Sequence, residues 1–74
     1  MNGIRIGQIW QEADKRFVRY VRVEAVGEPY IMIRRVVERE GGGWVEASKS
    51  YRTIALRTRF GKSGGYRLHQ EPSP

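Results

Sequence analysis

The sequence predicts an all-β domain, a small SH3-like barrel of five or six short antiparallel strands. Three observations lead there. Apolar residues recur with a period of two over several short runs. Glycine- and proline-marked turns punctuate them at Gly27-Glu28-Pro29, Gly41-Gly42-Gly43 and Gly61-Lys62-Ser63-Gly64-Gly65. No run carries a convincing helical period, and a chain of 74 residues encloses a core most readily by curling one sheet around it.

The first run, residues 4–10, alternates over its first half, with Gly7 placed for a bend and Trp10 expected to cap the core. Glu12-Ala13-Asp14-Lys15-Arg16 is polar and predicts a loop. In residues 19–26, Val21, Val23 and Ala25 share one face and Tyr20, Arg22 and Glu24 the other, as in a half-buried strand. Over residues 30–38, Ile31 and Ile33 face inward while Tyr30, Met32 and Arg34 face outward. Arg35-Val36-Val37 then breaks the phase, which predicts a bulge near Arg34-Arg35. Trp44-Val45-Glu46-Ala47 is placed to return along that strand as a short hairpin, with Trp44 either covering the barrel end or exposed for contact. Residues 53–60 put Ile54, Leu56 and Phe60 inward and Ala55, Arg57 and Arg59 outward, and Tyr66-Arg67-Leu68-His69 puts Tyr66 and Leu68 inward. The reading is one domain over residues 1–69 with a flexible tail over 70–74, where two prolines stand among small polar residues.

Composition bounds the function. With no cysteine there is no disulfide framework, no zinc-thiolate site and no thiol nucleophile. No signal-peptide pattern and no stretch of about 20 apolar residues is visible, so the expectation is a cytoplasmic protein without a membrane partner. The formal net charge is +6, and only Lys15, Lys49 and Lys62 of the 14 basic residues are lysine. Guanidinium pairs bidentately with phosphate and carboxylate and stacks on flat rings, so the bias toward arginine points to an anionic surface as partner.

Motifs that would imply chemistry are weak. Gly61-Lys62-Ser63 lacks the P-loop glycine five residues earlier, where Leu56 stands, and no helix follows. His69 is the single histidine and has no companion ligands for a transition metal; it is expected to face outward on the last strand. Glu38, Glu40 and Glu46 flank an exposed glycine loop and are expected to be solubilising charge rather than acid-base catalysts. No enzyme activity, cofactor or metal is expected.

Two end segments carry a resemblance. Gly7-Gln8-Ile9-Trp10, followed by a charged loop, and Phe60, a glycine- and serine-containing loop, then Gly65-Tyr66-Arg67-Leu68, are similar to small uncharacterised bacteriophage and prophage proteins. Those share a GQ-hydrophobic-W start and a GYRL end. The resemblance covers about a third of the chain and contains no catalytic motif. It implies an SH3-like barrel, a mobile-element origin and a bacterial host cell.

Strand phase gathers Tyr20, Arg22, Tyr30, Arg34, Arg57, Arg59 and Arg67 on an outward surface, with Lys62 in the adjacent glycine loop. Guanidinium groups interleaved with aromatic rings neutralise phosphates and stack on bases, so these residues are the expected site for a DNA or RNA backbone. The alternative is a protein-interaction module or inhibitor docking on an acidic protein surface, with Met32 and Trp44, beside Tyr30, as anchors. A solvated face with cross-strand ion pairs, such as Glu24 opposite an arginine, would produce the same pattern. Edge strands leave room for a homodimer.

Overall fold

Tyr30–Glu38, the longest run of β-branched and apolar residues, forms the strand around which the others are arranged. The structure is a computed structural model that describes residues 3–14, 16, 18–61 and 65–72. Its strands are β1 (Ile9–Glu12), β2 (Tyr20–Val26), β3 (Tyr30–Glu38), β4 (Trp44–Glu46), β5 (Arg52–Leu56) and β6 (Tyr66–Gln70). A single 3₁₀ turn over Arg57–Arg59 separates the last two. All pairings between these strands are antiparallel, in the order β4-β3-β2-β1-β6, and β5 also pairs with β3.

One edge of β3 runs along β2, and the other is divided between two partners. Residues 30–34 pair with β5 and residues 36–38 with β4. The last strand returns to the first, with Trp10 opposite Leu68, Gln11 opposite Arg67 and Glu12 opposite Tyr66. The result is the small all-β, barrel-like architecture that the sequence predicts, with the sheet left open between β5 and β6. The 3₁₀ turn spans that gap, helped by a bridge from Phe60 to Tyr66 and by the Gly61 amide, which donates to the Tyr66 carbonyl at 2.8 Å.

The core face collects Trp10, Val21, Val23, Ile31, Ile33, Ala55, Phe60 and Tyr66. Trp10 meets Phe60 edge-on with ring centroids 5.1 Å apart, and Phe60 stacks on Tyr66 at 4.8 Å. Such ring pairs add about 0.5–1.5 kcal/mol each beyond their area burial.

Four sequence expectations are corrected. The first strand starts at Ile9 and runs through Glu12, which the sequence assigns to a loop, while Ile4 packs on the core from outside the strand. The register irregularity lies in β2 between Val23 and Ala25, not at Arg34-Arg35; β3 keeps its phase, so Val36 points to the outer face and is buried there. In β5 the phase is reversed: Ile31 opposite Ala55 and Ile33 opposite Thr53 turn the small residues inward, leaving Ile54 58% and Leu56 45% exposed. Three aromatic rings already fill that side of the core, and in a period-two pattern a one-residue slip exchanges the faces. At the C-terminal end, β6 extends through Gln70, and Glu71 is bound by Arg5 at 2.8 Å and by Gln8 at 3.0 Å.

The two end segments meet around Gln8, whose side chain is fully buried. Its Oε1 accepts from Trp10 Nε1 at 3.0 Å and from the Arg5 amide at 2.8 Å, and its Nε2 donates to the Gly3 carbonyl at 3.3 Å and to Glu71. Gly7 adopts φ +94° with Pro72 against it, and a Cβ on Gly65 would collide with the Arg59 carbonyl. The residues that carry the resemblance thus tie the two chain ends together.

Candidate nucleic-acid interface

Register lays the outer face out in rows. One row reads Gln70, Ile9, Arg22, Arg34 and Arg52 across β6, β1, β2, β3 and β5. The next reads Arg67, Gln11, Tyr20, Val36 and Glu46 across β6, β1, β2, β3 and β4. The predicted Tyr20, Arg22, Arg34 and Arg67 therefore do share one face.

The arginines of the first row are not free. Glu24, brought beside them by the bulge in β2, lies 2.9 Å from Arg22 Nε, 3.6 Å from Arg34 Nε and 3.4 Å from Arg52 Nε. Arg22 also reaches Glu46 at 3.6 Å. The Glu46 carboxyl is held below its ordinary range by its own backbone amide and by Arg22. Three guanidinium groups against two carboxylates leave a small positive excess in a largely satisfied network, which is the cross-strand pairing that the sequence offers as the alternative to a binding surface.

Tyr20 joins an aromatic cluster instead of standing alone. Its ring lies 4.9 Å from Trp44 and 4.8 Å from His69, and Trp44 Nε1 donates to Gln70 Oε1 at 3.0 Å. Trp44 is half-buried on the outer face, and His69 faces outward as the sequence expects.

The other expected residues are dispersed. Arg57 is in the 3₁₀ turn, paired with Glu28 at 3.1 Å. Arg59 lies with its guanidinium 4.8 Å above the Tyr66 ring. Tyr30 is at the far end of β3 opposite Leu56, beside Met32, which pairs with Ile54; these four make a partly exposed apolar patch. Lys62 lies outside the described residues.

A second arrangement is visible only in three dimensions. Where the sheet stays open, an open cavity of about 340 Å³ forms on the core face, with Val21, Ile33 and Tyr66 inside it and Arg35, Lys49, Tyr51 and Thr53 at its rim. Val21 opposite Arg35 and Ile33 opposite Thr53 put these side chains there. Glu12 lines the same space, with Arg19 at 4.0 Å. Burial raises the Tyr66 phenol above its usual range, partly offset by Arg59.

Exposed cations without a carboxylate partner are distributed differently from the sequence expectation. Among the described residues, Arg35, Arg39, Lys49, Arg59 and Arg67 are exposed and make no ion pair. Only Arg59 and Arg67 are among the residues that strand phase selects. The phase break that the sequence reading places at Arg35 leaves that residue without a face, and Lys49 and Tyr51 stand in a short connection with no period. Among the described residues no group of His, Cys, Asp and Glu has the arrangement of a metal site, and no helix is long and apolar enough to cross a membrane. Compared with known proteins, the chain matches no family model, no curated protein sequence and no solved structure.

Proposed function

We propose that this protein binds nucleic acid, chiefly through the phosphate backbone, and performs no catalysis. The observation that carries the reading is the set of five exposed cations, Arg35, Arg39, Lys49, Arg59 and Arg67, that make no ion pair while most other arginines are paired within the fold. Charge left unsatisfied in the folded state is available to a polyanion, and each phosphate neutralised releases condensed counterions. Aromatic rings near these cations, Tyr51 at the cavity and the Tyr20, Trp44 and His69 cluster beside the row of Arg67, supply faces for base stacking. A phage or prophage origin and a bacterial cytoplasm belong to the same proposal and rest on the two end segments.

The test is fluorescence anisotropy of labelled single- and double-stranded DNA and RNA at about 50 and 200 mM salt. With about four phosphates neutralised, log K falls against log salt with a slope of about −3.6 on duplex and about −2.8 on single strands. The Arg39→Ala/Arg67→Ala variant is expected to flatten the duplex slope by about 1.8. Absence of binding at 50 mM salt overturns the reading.

One observation favours docking on another protein as the second reading. Tyr30, Ile54 and Leu56 are 47%, 58% and 45% exposed and lie together with Met32 next to the arginine row. Aromatic and aliphatic anchors beside arginines are the residue types that concentrate binding energy at interfaces. Binding that survives high salt and is lost on Tyr30→Ala would select it.

A further inference from the structure

We propose that the open cavity on the core face takes one nucleotide, with its phosphate between Arg35 and Lys49 and its base against Tyr51. The proposal rests on the nucleic-acid reading and names the place where an unpaired base is held. Four features of the cavity lead to it.

The first is charge. Arg35 and Lys49 make no ion pair, while the one acid that lines the space, Glu12, lies 4.0 Å from Arg19. An anion entering from the rim therefore meets two uncommitted cations, with the carboxylate already balanced. The second is an unmet hydrogen bond. Ser50 Oγ is buried, belongs to a residue that lines the cavity, and has no hydrogen-bond partner. Buried hydroxyls are nearly always satisfied, so this one marks a place where the lining of the cavity lacks a polar partner.

The third is the backbone. Lys49 holds φ +60°, a conformation that side chains other than those of Gly, Asn and Asp seldom adopt. The turn that imposes it, closed by the Ser50 amide on the Ala47 carbonyl at 3.0 Å, puts a lysine where glycine would be more comfortable. Strain of this kind is retained where the side chain is needed. The fourth is Tyr51, whose 76% exposure leaves a large ring unpacked at the rim, while Val21, Ile33 and the buried Tyr66 give the space an apolar interior. A volume of about 340 Å³ lies at the small end of the range for ligand pockets and suits a single nucleotide rather than a duplex.

The same chemistry is offered by a free nucleoside monophosphate and by one unit of a single strand, and the experiment separates them. Adenosine and cytidine 5′-monophosphates and a 12-nucleotide single strand are titrated by NMR and anisotropy into the wild type, Arg35→Ala, Lys49→Gly, Tyr51→Ala and Arg39→Ala/Arg67→Ala, the last of which lies outside the cavity and is expected to weaken the strand while leaving mononucleotide binding unchanged. Lys49→Gly removes the ammonium but relieves the positive φ, so its melting temperature is expected to hold or rise while its nucleotide binding falls. That combination would not follow from a structural role.

Each cavity variant is expected to weaken the single strand by about tenfold, the scale of one lost stacking or phosphate contact, with shifts on the amides of residues 49–53. A mononucleotide that shifts the same amides identifies the free ligand as a source; weakening on the strand alone identifies the strand unit. Cavity variants that bind both ligands as the wild type does overturn the proposal, even if strand binding itself persists. A wild type that binds the mononucleotide but no strand supports the cavity and refutes the broader nucleic-acid function.

Discussion

Replacing Gln8 by alanine tests how much of the fold depends on one buried amide. The side chain is fully buried and makes four hydrogen bonds that join residues 3–10 to Glu71. Truncation strands the Trp10 indole N–H in the interior, which costs about 1–3 kcal/mol for an unsatisfied donor. The remaining partners regain water in part, so their bonds contribute about 0.5–1.5 kcal/mol each at most. The void left by the side chain adds to the loss. A total of about 3–4 kcal/mol is expected, against a whole-domain stability of about 4–11 kcal/mol at this length. For a domain of this size that corresponds to a fall of roughly 12–30 °C in Tm. Urea and thermal denaturation followed by circular dichroism measure it, and a cycle with Trp10→Phe isolates the indole bond, with a coupling of about 1 kcal/mol expected. A loss below about 1 kcal/mol, or no coupling to Trp10, would refute the reasoning that this network ties the ends together.

Three further outcomes are expected. Gly65→Ala forces a Cβ onto the Arg59 carbonyl and is expected to cost more than about 2 kcal/mol or to prevent folding, whereas Gly42→Ala, with open space around it but φ +105°, pays only for its backbone conformation; urea midpoints compare the two. Hydrogen bonds from Gln8 and then Arg5 hold the Glu71 carboxyl below the ordinary glutamate range, so its contribution to stability is present at and above that range and is lost as pH falls through the lower folded value. NMR titration of Glu71 is expected to show the depression in the wild type and its relief in Gln8→Ala. Glu24→Gln removes the carboxylate shared by Arg22, Arg34 and Arg52, and is expected to lower Tm while tightening and steepening salt-dependent DNA binding, read by melting and anisotropy.

The strands were legible wherever alternation was backed by strong apolar residues. Val21, Val23, Ile31 and Ile33 announce β2, β3 and their shared face, and Gly41-Gly42-Gly43 announces the β3–β4 hairpin. In β5 the larger side chains of Ile54 and Leu56 suggest burial, but facing depends on which residue of β3 lies opposite, and that is a tertiary fact. The bulge at Glu24 was misplaced because a phase break in one strand reads the same as a slip in its partner. For the site, strand parity gathers Tyr20, Arg22, Arg34 and Arg67 correctly onto one face. It offers Glu24 opposite an arginine but not one carboxylate shared by three, and it does not anticipate that Arg35, Lys49 and Tyr51 meet around an opening formed by segments distant in sequence.

The contact of Arg5 and Gln8 with Glu71 also bears on how the chain can be rewired. Because Gly3 and Glu71 are hydrogen-bonded to the same Gln8 side-chain amide, a short linker joining residue 3 to residue 72 need span little distance. New ends could then be opened in the exposed loop of Gly41, Gly42 and Gly43, where no neighbour crowds the backbone. Such a circular permutant would turn β1–β6, now the pairing most distant along the chain, into a local hairpin, but it would make β3–β4 and β3–β5 the distant pairings instead, so no gain in folding speed is expected.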